Sequence, residues 1–262
     1  MAEPSREILP RAEGVRAFAG PAFAGIADCA PSGRVRLDAL ARWLQDIAYL
    51  DVLDAGLQSV AVWVVRRTRI RVNRWPRFAE RFELTTFCSG LGRMWAERRT
   101  DVERPDADAP DVEAVSLWVH LHPERRLPFP LTEAEVSAYS GAAPPRRVTA
   151  RLRHPLPSAS CGTGTAWTFR ATESDIADHT NNAAYWQPLE EELLRRDAEP
   201  GPVDIELEYR APAQPGVKRW LADGDARWII GGGGAGGEEE LHASFLLAPP
   251  SSRGLEIPSP QA

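Results

Sequence analysis

Two stretches of the chain place apolar residues at helical spacing, and each is followed by runs that alternate. In 34–50, Val35, Leu37, Leu40, Leu44, Ile47 and Ala48 fall near one face, which predicts a largely buried amphipathic helix. Gly56 ends that region as a C-cap or in the next turn. The period then changes. Val60, Val62, Val64 and Val65 give a β-rich run, and Arg67, Arg69 and Arg71 alternate with Thr68, Ile70 and Val72, a strand with one charged face. Further strands are predicted at 80–88, 94–103 and 112–121, linked by the glycine-containing 89–92 and the polar 104–111.

A proline-rich, basic connector near 143–157 marks a shift in composition and a boundary. Beyond it come a strand at 165–172, a polar loop at 173–180 and a helix at 181–194. Pro188 lies inside that helix and requires either a kink or a later start. Strands at 203–210, 217–230 and 238–247 complete the set. The glycine run 231–237 reads as a flexible turn; it has no Walker lysine and is no phosphate loop. The tail from Pro249 reads as disordered. Superposing the two helical regions puts Arg34 on His179, Leu37 on Asn182, Leu40 on Tyr185, Leu44 on Leu189 and Gln45 on Glu190, a weak sequence repeat with a matching order of elements. One helix and several antiparallel strands, twice over, predict an α+β chain with a sheet curled around each helix.

Composition narrows the function classes. The 262 residues carry a net charge of −6, which disfavours bulk attraction to nucleic acid or an anionic membrane. No apolar run reaches the roughly 18 residues a spanning helix needs, and the charged N-terminus lacks the apolar core of a secretory signal. Cys29, Cys88 and Cys161 form no CxxC or Cys/His cluster, so neither zinc nor a disulfide framework is indicated. A cytoplasmic location is the expectation.

Candidate chemistry concentrates in 174–185, SDIADHTNNAAY, where Asp175, Asp178, His179, Asn181 and Asn182 precede a helix. Helix capping and a solvated turn explain such residues without any activity. The functional reading brings Asp175 and His179 together at a helix N-terminus, where free N–H groups and the dipole polarise a carbonyl. Asp then attacks or activates water while His holds or relays a proton. No second histidine stands nearby to support a metal.

This loop resembles that of the acyl-ACP thioesterases, a family with two hotdog domains in one chain. The family motif Asp-x-Asn-x-His-Val-Asn-Asn stands here as Asp175-Ile176-Ala177-Asp178-His179-Thr180-Asn181-Asn182, with Tyr185 in step. GRVRLDALARWLQDIA, the strands that follow it, and IELEYR extend the likeness over most of the chain. The resemblance implies two tandem hotdog domains, at 15–142 (acyl-chain pocket) and 150–249 (catalytic loop and helix), each an antiparallel sheet around a central helix. It implies hydrolysis of fatty acyl-ACP, with Asp175 as catalytic carboxylate, His179 as the motif histidine, and Asn181 and Asn182 opening the helix that supplies oxyanion donors. No cofactor is implied, the partner is acyl carrier protein, and pairing into a homodimer is left open. Two positions depart from the family: the motif's first asparagine is Ala177, and the plant enzymes' Glu-Cys pair aligns with Pro212 and Ala213. An acyl-CoA thioesterase and a catalytically impaired acyl-binding protein are the alternatives; a hotdog hydratase is disfavoured by the asparagine-rich helix start.

Among other features, Arg66, Arg67, Arg69, Arg71, Arg74 and Arg77 read either as a docking face for an acidic carrier or as a strand face with cross-strand ion pairs. Trp43 and Trp63, with Arg67, are the substrate-binding candidates, although tryptophans also fill ordinary cores. His120, His122 and His154 have no carboxylate-rich context and read as structural or exposed, and Cys161 has no patterned base next to it.

Overall fold

A computed structural model describes residues 8–58, 62–140, 146–158, 161–196, 199–232 and 239–248. The strand expected from Val60 runs as β2 (Val62–Val72); Val60 itself, most of the 231–237 glycine run, the tail from Pro249 and the unit ends at 142 and 249 lie outside the described residues. In β2 a bulge between Val65 and Arg67 resets the alternation. Thr68, Ile70 and Val72 are therefore buried on one face, while Arg67, Arg69 and Arg71 line the other. The partner strand β7 (Val203–Tyr209) carries the complementary pattern: Ile205 and Leu207 face the core, while Asp204, itself buried, and Glu206 lie on the opposite face with the arginines.

Those two strands pair antiparallel, from Arg67 opposite Glu208 to Val72 opposite Val203, and they join two five-stranded halves into one sheet. The remaining strands are β1 (Ala17–Phe23), β3 (Arg81–Leu91), β4 (Trp95–Glu103), β5 (Val112–Leu121), β6 (Thr165–Phe169), β8 (Gly216–Asp223), β9 (Ala226–Gly232) and β10 (Glu239–Ala248). The order β1-β3-β4-β5-β2-β7-β10-β9-β8-β6 reads the same pattern inward from either edge, so the halves are related by an approximate twofold axis between β2 and β7. Neighbouring strands are antiparallel throughout.

Helix α1 (Leu37–Asp54) buries Leu37, Leu40, Trp43, Leu44 and Ile47 against this sheet. The helix expected at 181–194 is a single helical segment with two parts: a 3-10 turn, Asn182–Trp186, running directly into α3 (Gln187–Arg196). Pro188 sits in the first turn of α3, where its missing N–H costs no helical bond; the helix starts late and Pro188 does not kink it. Both helices share one core with Ile70, Ile205, Leu207, Trp186 and Phe245. A smaller cluster around Leu57, Leu91, Ala96 and Tyr139 is covered by α2 (Glu133–Ser140). This is the two-helix, one-sheet arrangement of paired hotdog units.

The connector at 146–158 is bound to both halves. Leu91 N–H donates to the Arg146 carbonyl and the Leu91 carbonyl accepts from Val148 N–H, and a Cβ on Gly90 would come within 2.5 Å of Val148 and 2.9 Å of the Arg146 carbonyl, so only glycine fits there. Further on, Glu208 accepts from the backbone N–H groups of Arg153 and His154 at 2.5 and 3.1 Å. His154 thus has the carboxylate neighbours its sequence context lacked, because β7 presents Glu206 and Glu208 on one face.

Candidate active site

The segment 174–180 is a tight turn closed by a bridge between Ser174 and Thr180. Asp175 N–H donates to the His179 carbonyl at 3.1 Å, and Asp178 N–H to the Asp175 carbonyl at 3.0 Å. Asp178 adopts φ 60°, a left-handed conformation that Asp tolerates better than most residues. This turn delivers the half-buried Asp175 and His179 to the start of the second helix.

The Asp175 carboxylate has two donors. Its Oδ1 accepts from Ala177 N–H at 2.8 Å and its Oδ2 from the Asn181 amide at 3.0 Å. Asn181 in turn caps the helix, its Oδ1 accepting from Ala183 N–H at 2.9 Å. One asparagine therefore orients the carboxylate and the helix entry together. This is a role that sequence reasoning, which assigned Asn181 to opening the helix, did not isolate.

His179 is held separately. Its Nδ1 lies 3.0 Å from the Thr180 carbonyl, an acceptor, so the neutral ring carries its proton on Nδ1 and presents a bare Nε2. No hydrogen bond or ion pair joins the Asp175 and His179 side chains among the described residues. The loop brings them to one turn without pairing them, and the carboxylate's direct partner is Asn181.

Asn182 opens the helical segment. Its carbonyl accepts from the Tyr209 hydroxyl at 3.1 Å, which accepts from Trp186 Nε1 at 3.2 Å, tying the helix start to β7. Among the described residues no hydrogen bond reaches Asn182 N–H, which leaves it as a free donor. Tyr185 accepts from Ala213 N–H at 2.7 Å, and burial pushes its phenol up to about 12, so it stays neutral and structural. Ala213 also receives Thr180 N–H on its carbonyl, so the segment aligned with the plant Glu-Cys pair supports the loop through its backbone.

The first half repeats this loop residue for residue at a constant separation of 145, the bridge Cys29–Val35 falling on Ser174–Thr180. Ala30 N–H donates to the Arg34 carbonyl as Asp175 N–H does to that of His179, and Gly33 (φ 86°) stands where Asp178 stands. The chemistry differs. Ala30 replaces Asp175, and the site is sealed: Arg34 donates to both oxygens of Glu190 from α3, at 2.6 and 3.2 Å, while Leu37 N–H donates to the same carboxylate at 3.0 Å.

The other candidates lie elsewhere. Trp43 is buried in the main core with its ring 6.0 Å from Phe82. Trp63 lies in the smaller cluster, 5.1 Å from the His120 ring and 6.2 Å from Tyr139. Arg67 pairs with Glu206 at 3.6 Å, and Arg69 grips Asp204 with two contacts of 2.6 Å; these arginines are engaged across the seam. His120 is buried, bonded to the Phe129 carbonyl at 2.7 Å and set 3.2 Å from Glu135 without hydrogen-bond alignment. Among the described residues, His154, Glu206 and Glu208 form the one group with metal-like donors. Both His154 nitrogens and both Glu208 oxygens already have protein partners, so the group reads as a structural knot.

Comparison with known proteins follows the same division of the chain. Residues 26–139 match the family model of the acyl-ACP thioesterase N-terminal domain. In fold, the whole chain resembles an acyl-ACP thioesterase from Bacteroides thetaiotaomicron, with a TM-score of 0.71 at 18% identity over 88% of this chain and 96% of that one. It also resembles a 12:0-ACP thioesterase from Umbellularia californica, with a TM-score of 0.68 at 18% identity over 89% and 97%. An uncharacterized Mycobacterium tuberculosis protein, Rv2001, is 26% identical over 184 residues, 70% of this chain and 72% of that protein. No helix among the described residues is long and apolar enough to cross a membrane.

Proposed function

We propose that this chain hydrolyses fatty acyl chains from the phosphopantetheine arm of acyl carrier protein, with Asp175, His179, Asn181 and Asn182 as its catalytic set. The observation that carries the reading is the Asp175 carboxylate, held by the Asn181 amide at 3.0 Å, at a helix start whose Asn182 N–H is open. Each Asp175 oxygen receives one donor and keeps a lone pair for a water proton. His179 Nε2, the bare nitrogen, accepts a hydrogen bond from the same water and fixes its line of attack.

Water oxygen then bonds to the thioester carbon and its proton passes to Asp175. The carbonyl oxygen becomes anionic and is stabilised by Asn182 N–H, an interaction of the kind typically worth about 3–4 kcal/mol. Collapse breaks the C–S bond, and the thiolate takes the proton back from Asp175. On this reading the first domain, 15–142, receives the acyl chain along Trp43 and Trp63, and the second, 150–249, does the chemistry. Arg67, Arg69 and Arg71 are engaged in ion pairs and Arg66 donates to the Tyr209 and Arg210 carbonyls, which weakens their claim as a carrier-docking face; Arg67 reaches substrate only by leaving Glu206.

The test is a panel of acyl-ACP and acyl-CoA substrates of varied chain length, reading free thiol and released acid. Turnover of acyl-ACP in preference to acyl-CoA supports the proposal. Preference for CoA replaces the carrier, and tight acyl-ACP binding without turnover replaces hydrolysis by an acyl-binding role.

A further inference from the structure

The two halves are related by a twofold axis, so a contact from the first loop to the second helix has a mate running from the second loop to the first helix. In the first loop that contact is Arg34 and Leu37 N–H against the Glu190 carboxylate. With the constant separation of 145 residues, the twofold carries Arg34 onto His179, Leu37 onto Asn182 and Glu190 onto Gln45. The carboxylate of Glu190 marks where an acceptor oxygen sits at such a helix start. In the second site that place is the candidate position of the thioester carbonyl, and the residue facing it is a half-buried glutamine of α1. The bond that Leu37 N–H makes to Glu190 has no counterpart from Asn182 N–H to the Gln45 side chain among the described residues.

Resting on the hydrolase reading above, we infer that Gln45 is a second oxyanion donor, contributed by the first half to the reaction of the second. Its carboxamide offers two N–H donors, and being neutral it is not held on the helix N-terminus as the Glu190 carboxylate is. A glutamate at this position would repeat the sealed arrangement of the first site and exclude the substrate oxygen.

Three variants test this on the full chain. Q45M keeps side-chain length without a donor, and kcat for acyl thioester hydrolysis falls about 10²-fold or more, in the range seen when one oxyanion donor is removed. KM stays within about threefold, and the melting temperature within a few degrees. Q45E loses more and partly recovers as pH falls and the introduced carboxyl takes up its proton. Q45N, shorter by one methylene, falls between. Q45M at parental kcat, or altered only in KM, overturns the inference. A crystal structure of Q45E is the arm independent of activity. The introduced carboxylate on Asn182 N–H supports the geometry, and a carboxylate turned away overturns it. A parent protein inactive on every thioester defeats the hydrolase reading while leaving that structural arm to decide the placement of Gln45.

Discussion

The sealed site of the first half gives a stability prediction whose size follows from its contacts. Arg34 is fully buried (0% side-chain exposure) and Glu190 nearly so (4%); they share two hydrogen bonds, and Glu190 also caps α1 through Leu37 N–H. The Arg34 guanidinium lies 4.6 Å from the Trp75 ring centre, which adds a cation–π contact without supplying a counter-charge. E190Q preserves shape and removes the charge. Breaking a buried ion pair by neutralising one partner costs about 3–5 kcal/mol, and weakening of the cap falls within that range. For a chain of this size each kcal/mol lowers the melting temperature by roughly 2–4 °C, so E190Q melts about 6–20 °C below the parent. The R34M/E190L double variant removes both charges and packs apolar groups in their place, and it recovers most of the loss. Urea denaturation of the parent, both singles and the double closes the cycle. E190Q within about 1 kcal/mol of the parent, or a double variant no better than the singles, refutes the reasoning that this pair holds the two halves together.

Further outcomes follow from the site and the seam. D175N can accept from only one of the two donors, Asn181 or Ala177 N–H, and loses the base, so kcat falls by about 10²–10⁴-fold while the melting temperature drops by no more than a few degrees; H179A loses less because it orients water without taking its proton, and parental rates in either reject its assignment. Y209F strands Trp186 Nε1 and the Asn182 carbonyl, and costs about 1–3 kcal/mol by thermal denaturation together with part of kcat; a stability equal to the parent's means the bridge to β7 is idle. At the seam, burial pushes Asp204 and Glu206 up, but Arg69 and Arg71, and His154 and Arg67, outweigh it and hold both carboxyls below their ordinary values. Their stabilisation is therefore complete above the unfolded carboxylate values of about 4 and is lost as pH falls through the lower folded ones. R69M should flatten this acid limb in a plot of melting temperature against pH, and an unchanged limb removes the seam from the account.

How far the residues alone reveal this molecule depends on how local each signal is. The helix at α1 and the strands β2 to β5 follow from periodicity within a dozen residues, and they stand where that periodicity puts them. Strand β1 escapes because Gly20 and Pro21 break its pattern; an edge strand tolerates proline, since one row of its backbone groups faces outward. Helix α2 is short and weakly patterned, yet Thr132 and Glu135 form a capping box that the sequence did display. The loop at 174–180 is legible as an acidic turn before a helix, and its resemblance to a known motif names the residues. The pairing of Asp175 with Asn181 was within reach at six residues' distance. The pairing of Arg34 with Glu190 was not, because 156 residues separate them and only the joining of the two halves brings them together.

The two loops show why a duplicated fold can concentrate reactivity on one side. Both are the same turn, with the same backbone bonds and a left-handed residue at the same place, Gly33 in one and Asp178 in the other. In the first, the helix N-terminus attracts a carboxylate, and Arg34 and Leu37 N–H complete its shell; this satisfies donors that would otherwise be stranded and binds one half to the other. In the second, the facing residue is a neutral amide and the loop carries its own carboxylate seven residues ahead of the open N–H. A free donor at a helix start costs stability and becomes useful when a charge develops in front of it. Restoring the seal with a single carboxylate at Gln45 should thus move the second half toward the first in both respects, more stable and less active. A gain in stability without a loss in turnover would mean that the open N–H has no part in the chemistry.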